Sequence, residues 1–245
     1  MFVWVKGVEV MRIEKVVVEN FLTYYGRNEL KLSRGVNLIL GEAGAGKTSL
    51  WKAIFFAVSG RGVGRFDSLA SLINNRHKEE TSTPSCRAKV EFTHEGKRLP
   101  ASCSLKVDAG EIFQTRRESL TIDKFEIPYT SILVDAEMTD QLYQEHKEDW
   151  STGKRWAHLI MKDLARNSQI GIKTAILDGA FEYLSPDYRE KVLTFADELP
   201  MEQLIIMVKQ LPDNVQNRPC TIHRIEYDPL NGSSRIVERK EAPVG

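Results

Sequence analysis

Cysteine is scarce in this chain, and what there is forms no pattern. Its 245 residues hold three, Cys86, Cys103 and Cys220, with no CxxC pair among them. An odd, scattered set supplies neither a disulfide framework nor a zinc site, so the expectation is three free thiols in a reducing cytoplasm. Long apolar runs are missing too. None approaches the roughly 20 residues that cross a bilayer, and the opening MFVWVKGVEV is too short and interrupted for a signal-peptide core. No membrane partner is expected. Charge of one sign is also lacking, because 34 Lys and Arg balance 34 Asp and Glu to a formal net charge of +0. With no global field drawing the chain to nucleic acid, any DNA contact must come from a local patch. Internal repeats, low-complexity tracts and heptad runs do not occur.

What is present is α/β patterning. A strand pattern begins at Met11, leaving residues 1–10 as an N-terminal extension, and KVVVENF (15–21) is rich in β-formers. A second short strand follows at 29–32. GVNLIL (35–40) is a continuous apolar run, as in a strand buried on both faces. KTSLWKAIFFAV then places Leu50, Ile54 and Val58 at helical spacing, and SGRG ends that helix. In the middle of the chain Ala88, Val90 and Phe92 alternate with polar residues, as do Ala101, Cys103, Leu105 and Val107. That is an antiparallel meander with one wet face. Beyond Trp150 the pattern returns to α/β. A helix covers 154–166, a strand covers 174–177 and ends at Asp178, and Ser185-Pro186 starts another helix. A strand at 203–208 and a terminal hairpin, 221–227 with 234–238, complete the order.

The segment GEAGAGKT, residues 41–48, joins the buried strand to the amphipathic helix. Glycines at 41, 44 and 46 let backbone N–H groups turn inward without a Cβ clash, as phosphate oxygens require. Gly44, Ala45, Gly46 and the helix start at Lys47, Thr48 and Ser49 surround the same charge. Lys47 reaches β- and γ-phosphates, and the Thr48 hydroxyl suits Mg²⁺. A chance match in a surface loop would lack the strand before and the helix after. The expected ligands are therefore ATP and Mg²⁺.

With the loop fixed, VENFLTYYG and GVNLILGEAGAGKTSL resemble the N-terminal lobe of the SMC-type ABC ATPases, a group including chromosome-structure proteins, RecF-like proteins and the ATPase of double-strand-break repair. Residues 132–142 (ILVDAEMTDQL) are similar to the Q-loop segment, 150–166 (WSTGKRWAHLIMKDLAR) to the signature motif and its helix, and 175–190 (AILDGAFEYLSPDYRE) to Walker B plus D-loop. The resemblance implies an ABC ATPase head in two lobes. Lobe I, residues 11–143, would combine mixed and antiparallel strands around the P-loop helix. Lobe II, residues 144–245, would have parallel core strands and the terminal hairpin.

The resemblance also assigns roles, and several positions depart from it. Asp178 is the Walker B aspartate and a candidate Mg²⁺ ligand beside Thr48. The next position, where the family keeps a glutamate that activates water, is Gly179. The Q-loop glutamine position reads Asp135 and the switch-histidine position Lys209. Asp135 and Glu182 are the candidate substitutes for that carboxylate, although Glu182 has the reading of a solvated loop residue, and Lys209 is either a phosphate sensor or an ordinary charged strand end. The signature reads Ser151-Thr152-Gly153, which in the family touches the γ-phosphate held by the opposite protomer. No coiled coil separates the lobes, since only residues 144–149 stand where the family inserts one.

These features imply ATP-dependent association, as a homodimer or with a related head, and hydrolysis that is weak or complemented by the partner, in DNA repair or chromosome maintenance. A nucleotide-gated module that no longer hydrolyses is the alternative. A transporter-type ABC subunit would share the motif order, but VENFLTYYG and the reduced signature sit badly with it. Arg61 and Arg65 after the P-loop helix, with Arg76 and Lys78 further on, are candidate phosphate or DNA contacts or simply solvated charges. Tyr24 reads either as a stacking partner for adenine or as a core aromatic.

Overall fold

The computed structural model describes residues 12–62, 68–94, 97–118, 151–169, 174–199, 201–212, 215 and 218–241. The first part of the chain forms β1 (Arg12–Glu19), β2 (Arg27–Lys31), β3 (Gly35–Leu40), α1 (Lys47–Ser59), α2 (Asn75–Glu80), β4 (Ser85–His94), β5 (Lys97–Asp108) and β6 (Glu111–Glu118). The second forms α3 (Thr152–Gln169), β7 (Thr174–Asp178), α4 (Pro186–Glu198), β8 (Gln203–Val208), β9 (Cys220–Asp228) and β10 (Ser233–Glu241). No helix among the described residues is long and apolar enough to cross a membrane.

Two five-stranded sheets result. One is antiparallel, ordered β2-β1-β4-β5-β6; the other is ordered β10-β9-β3-β8-β7. In the second, β9, β3, β8 and β7 run parallel and β10 returns antiparallel along β9. Side-chain parity explains how each face is used. Ile39, Ile176, Ile205 and Met207 face one core, while Leu38, Leu40, Leu177, Leu204 and Ile206 face the other. The first core encloses α1, whose Leu50, Trp51, Ala53, Ile54 and Phe56 pack against Val16, Val18, Ala88, Val90 and Leu105 of the antiparallel sheet. Helices α3 and α4 close the second through Ala157, Ile160, Leu164, Val192 and Leu193. The continuous apolar run of β3 is thus the two-faced strand expected, and the alternating middle segment is the expected meander. Cys86, Cys103 and Cys220 are free and buried.

Some details differ from the sequence reading. β1 stops at Glu19 rather than continuing to Phe21, because Asn20 and Leu22 take left-handed backbone angles, φ 48° and 49°. The Asn20 carboxamide accepts from Gly26 N–H at 2.7 Å and turns the chain there. Arg76 and Lys78, read as part of a small basic cluster at 74–78, lie on a short helix, Asn75–Glu80, in which the Asn74 side chain accepts from His77 N–H.

Candidate nucleotide-binding site

Parallel strands end together, and here three of them deliver their following residues to one edge. Leu40 pairs with Val208, and Asp178 with Met207, so Gly41, Gly179 and Lys209 all leave the sheet at its carboxyl end. In open α/β sheets that edge is where ligands bind.

The loop from Gly41 is shaped by its glycines and its neighbours. Gly44 and Gly46 adopt φ 79° and 110°, and Gly46 O accepts Leu50 N–H at 2.9 Å to open α1. A Cβ on Gly46 would lie 2.6 Å from Ser234 Oγ and 2.9 Å from Thr23 Oγ1, so only glycine fits. A Cβ on Gly41 would meet the Ile225 carbonyl at 2.8 Å. Tyr24 is fully buried and donates its hydroxyl to Gly46 O at 3.0 Å. Its role is therefore to grip the loop from within the core, and burial pushes its phenol well above the usual range. Ser234 N–H donates to Thr23 O at 2.7 Å and fixes the same wall.

Lys47 Nζ donates to Gly41 O at 2.5 Å and Glu42 O at 3.2 Å. Thr48 is exposed at the first turn of α1, with Ser49 half-buried beside it, and Asp178 is half-buried at the end of β7. A close-walled cradle of glycines at the start of a 13-residue helix, with an ammonium turned toward loop oxygens, matches the donor set a triphosphate needs. The Thr48 hydroxyl and Asp178 carboxylate are hard oxygen donors that fit Mg²⁺.

The other candidates fall in different places. Gly179 has φ 70° and open space where a Cβ would be. Glu182 is exposed on the 3-10 turn Ala180–Tyr183, and its carboxylate accepts from Lys209 N–H. The Lys209 ammonium lies 3.4 Å from the Glu42 carboxylate, so the phosphate loop, Glu182 and Lys209 are brought together. Asp135 and Arg65 lie outside the described residues. Ser151 is exposed immediately before α3, where its Oγ accepts from Lys154 N–H at 3.3 Å; Thr152 and Gly153 form the first positions of that helix. Arg61 is exposed past the end of α1. Arg76 is engaged with Glu80 at 2.7 Å and Asn231 at 3.2 Å and stacks over Tyr25, and Lys78 donates to Asn75 at 3.2 Å.

Two groups of residues escaped the sequence reading. Ile225 and Ser234 wall the loop but carry no local motif, since only tertiary pairing brings them there. On the outer face of the antiparallel sheet, Arg87, Ser102, Ser104, Thr115 and Arg117 line a concavity of about 240 Å³. Neither arginine has a carboxylate partner among the described residues.

A family model described as an AAA domain matches residues 15–190. Arcadin-4 of Pyrobaculum calidifontis is 42% identical over 71 residues; the match covers 28% of this chain and 9% of Arcadin-4. An SMC head solved with the C-winged helix domain of ScpA superposes with a TM-score of 0.65 at 13% identity, over 94% of this chain and 97% of the other. The recombination mediator RecF with ATP superposes at 0.51 and 12% identity, over 93% and 98%.

Proposed function

The chain belongs to the AAA domain family and has the fold of an SMC- or RecF-like ATPase head, and from that premise we propose that it binds ATP with Mg²⁺ at residues 41–49. The observation that carries this reading is the Gly44–Gly46 turn opening α1 at the carboxyl edge of the parallel sheet, with Lys47 folded over it. Loop amides and the positive end of α1 hold the phosphates, Lys47 neutralises them, and Thr48 with Asp178 holds the metal. Bound Mg²⁺ would supply charge neutralisation on the β- and γ-phosphates.

Head-to-head association is part of the proposal. Exposed Ser151 and the start of α3 offer a hydroxyl and a helix dipole to the γ-phosphate bound by a second head, a copy of this chain or a related one. Hydrolysis in the isolated chain is slow, because the residue after Asp178 is glycine and Glu182 is already accepting from Lys209. A non-hydrolysing, nucleotide-gated module is the second reading, favoured by Gly179. Service to DNA, in repair or chromosome maintenance, is the third element. It is supported by the concavity between Arg87 and Arg117, which concentrates donors on a chain of zero net charge.

Calorimetry and sedimentation on one preparation test this. Wild type should take up ATP only with Mg²⁺ and then sediment as a dimer, while Lys47→Ala should do neither. Phosphate release present in wild type and lost in Lys47→Ala would select the ATPase over the silent module. No magnesium-dependent uptake by folded wild type would end the proposal.

A further inference from the structure

Strand β6 has one face turned inward and one turned outward. On the inward face Gln114 Nε2 donates to Gly60 O at 2.5 Å and the Arg116 guanidinium donates to Val58 O, so both side chains are pinned to the end of α1. Alternation then sends Phe113, Thr115 and Arg117 to the outer surface of the antiparallel sheet, where Phe113 is 51% exposed. Register sets what lies beside them. Arg117 opposes Ser102, Thr115 opposes Ser104, which in turn opposes Arg87, and Phe113 opposes Lys106. The concavity between the arginines runs on into a second hollow of about 460 Å³, which shares Arg87, Ser104 and Thr115 with it and reaches Phe113. Lys106 is paired with Asp108 at 2.7 Å, which leaves Arg87 and Arg117 to meet an anion. Glu19 is the single carboxylate among the lining residues. It lies on β1, three strands or about 14 Å from β6, outside the span between Phe113 and the two arginines.

A polyanion that also carries flat apolar groups uses the whole of such a lining, whereas phosphates alone leave the ring idle. We propose that this groove binds single-stranded DNA, with Arg87 and Arg117 on phosphates and Phe113 stacked against an unpaired base. The inference rests on the DNA reading given above and adds to it the form of DNA and the residue that selects it. The arginines take phosphates from a duplex or a single strand alike, but a base closed inside a duplex stack cannot reach the ring. Phe113 and Arg117 are four residues apart, about 13 Å along β6, so a strand lying across them meets the ring and the guanidinium at different nucleotides. Because Gln114 and Arg116 hold β6 from behind, the ring is presented at a reduced ordering cost.

Fluorescence anisotropy on the full chain tests this with three labelled ligands of equal length: oligo(dT), a duplex and an abasic strand. Wild type should bind oligo(dT) more tightly than the other two. Phe113→Ala should weaken oligo(dT) by about fivefold to a hundredfold, the scale of one lost base stack, and leave the duplex and the abasic strand within about twofold. Phe113→Trp should restore oligo(dT) binding and add tryptophan fluorescence that the strand quenches. The double variant Arg87→Ser, Arg117→Ser should lower the slope of log affinity against log salt for oligo(dT) by about 1.4, the share of two phosphates on a single strand. All three side chains are exposed, so thermal unfolding should stay at the wild-type midpoint. Tighter binding of the duplex by wild type, equal weakening of all three ligands by Phe113→Ala, or no weakening of any would each overturn the single-strand assignment. In those cases duplex binding that falls in the double arginine variant leaves the DNA reading itself standing. Wild type that binds none of the three removes both.

Discussion

Gly179 stands where the resembling ATPases keep a glutamate, and its backbone says what a restored side chain would meet. Its φ of 70° disfavours any L-residue, yet nothing lies within 4 Å of where a Cβ would sit. Gly179→Glu should therefore cost about 1–2 kcal/mol of stability in urea unfolding, the penalty of a left-handed non-glycine. If the missing base limits hydrolysis, the same variant should raise phosphate release by about 10²-fold or more. An unchanged rate would place the limitation elsewhere. At this scale the sequence revealed Lys47, Thr48 and Asp178 because their roles are set within a few residues of one another. It could not reveal that Tyr24 grips Gly46, or that Glu42 holds Lys209, because those contacts join separate segments. The thiols were legible as free, but not their burial: Cys86 is buried, and burial pushes its thiol up to about 12.

Among the elements, strands buried on both faces were readable almost to their ends as continuous apolar runs, β8 at 203–208 above all. Boundaries set by side-chain bonds to the backbone were not, as Asn20 shows at the end of β1. Gln203 is a further case of a role hidden in an ordinary strand residue. It is buried; its carboxamide oxygen accepts from Ile13 N–H at 3.1 Å, and its nitrogen donates to Ile13 O at 2.8 Å and Ser33 O at 2.9 Å. One side chain thereby ties β1 and the turn before β3 to the first residue of β8. Gln203→Leu would leave these main-chain groups buried without partners and should lower stability by about 2–4 kcal/mol in denaturant unfolding. A loss under about 1 kcal/mol would mean that water takes over the bonds.

For the whole molecule, the order of motifs was enough to read the fold class, because each motif belongs to a fixed place in one topology. The basic concavity was not readable, since Arg87 and Arg117 become neighbours only through the register of β4, β5 and β6, where Lys89 opposes Ser102 and Ser102 opposes Arg117. If DNA lies there, replacing both arginines by serine should reduce the slope of log affinity against log salt by about 2, as expected when two phosphate contacts are lost from a duplex. Arg76→Ser, which removes a cation already held by Glu80 and Asn231, should change it far less. An unchanged slope in the double variant would rule the concavity out as the contact. The wall built by Ser234 and Ile225 against the glycine turn also sets an order of events during synthesis. A nascent chain that has emerged only as far as Leu211 already carries every phosphate-binding signature, yet lacks the strands against which Gly41 and Gly46 take shape. Competence for nucleotide thus waits for β9 and β10 to emerge, and a ribosome stalled in that interval presents a head whose cradle is unfinished.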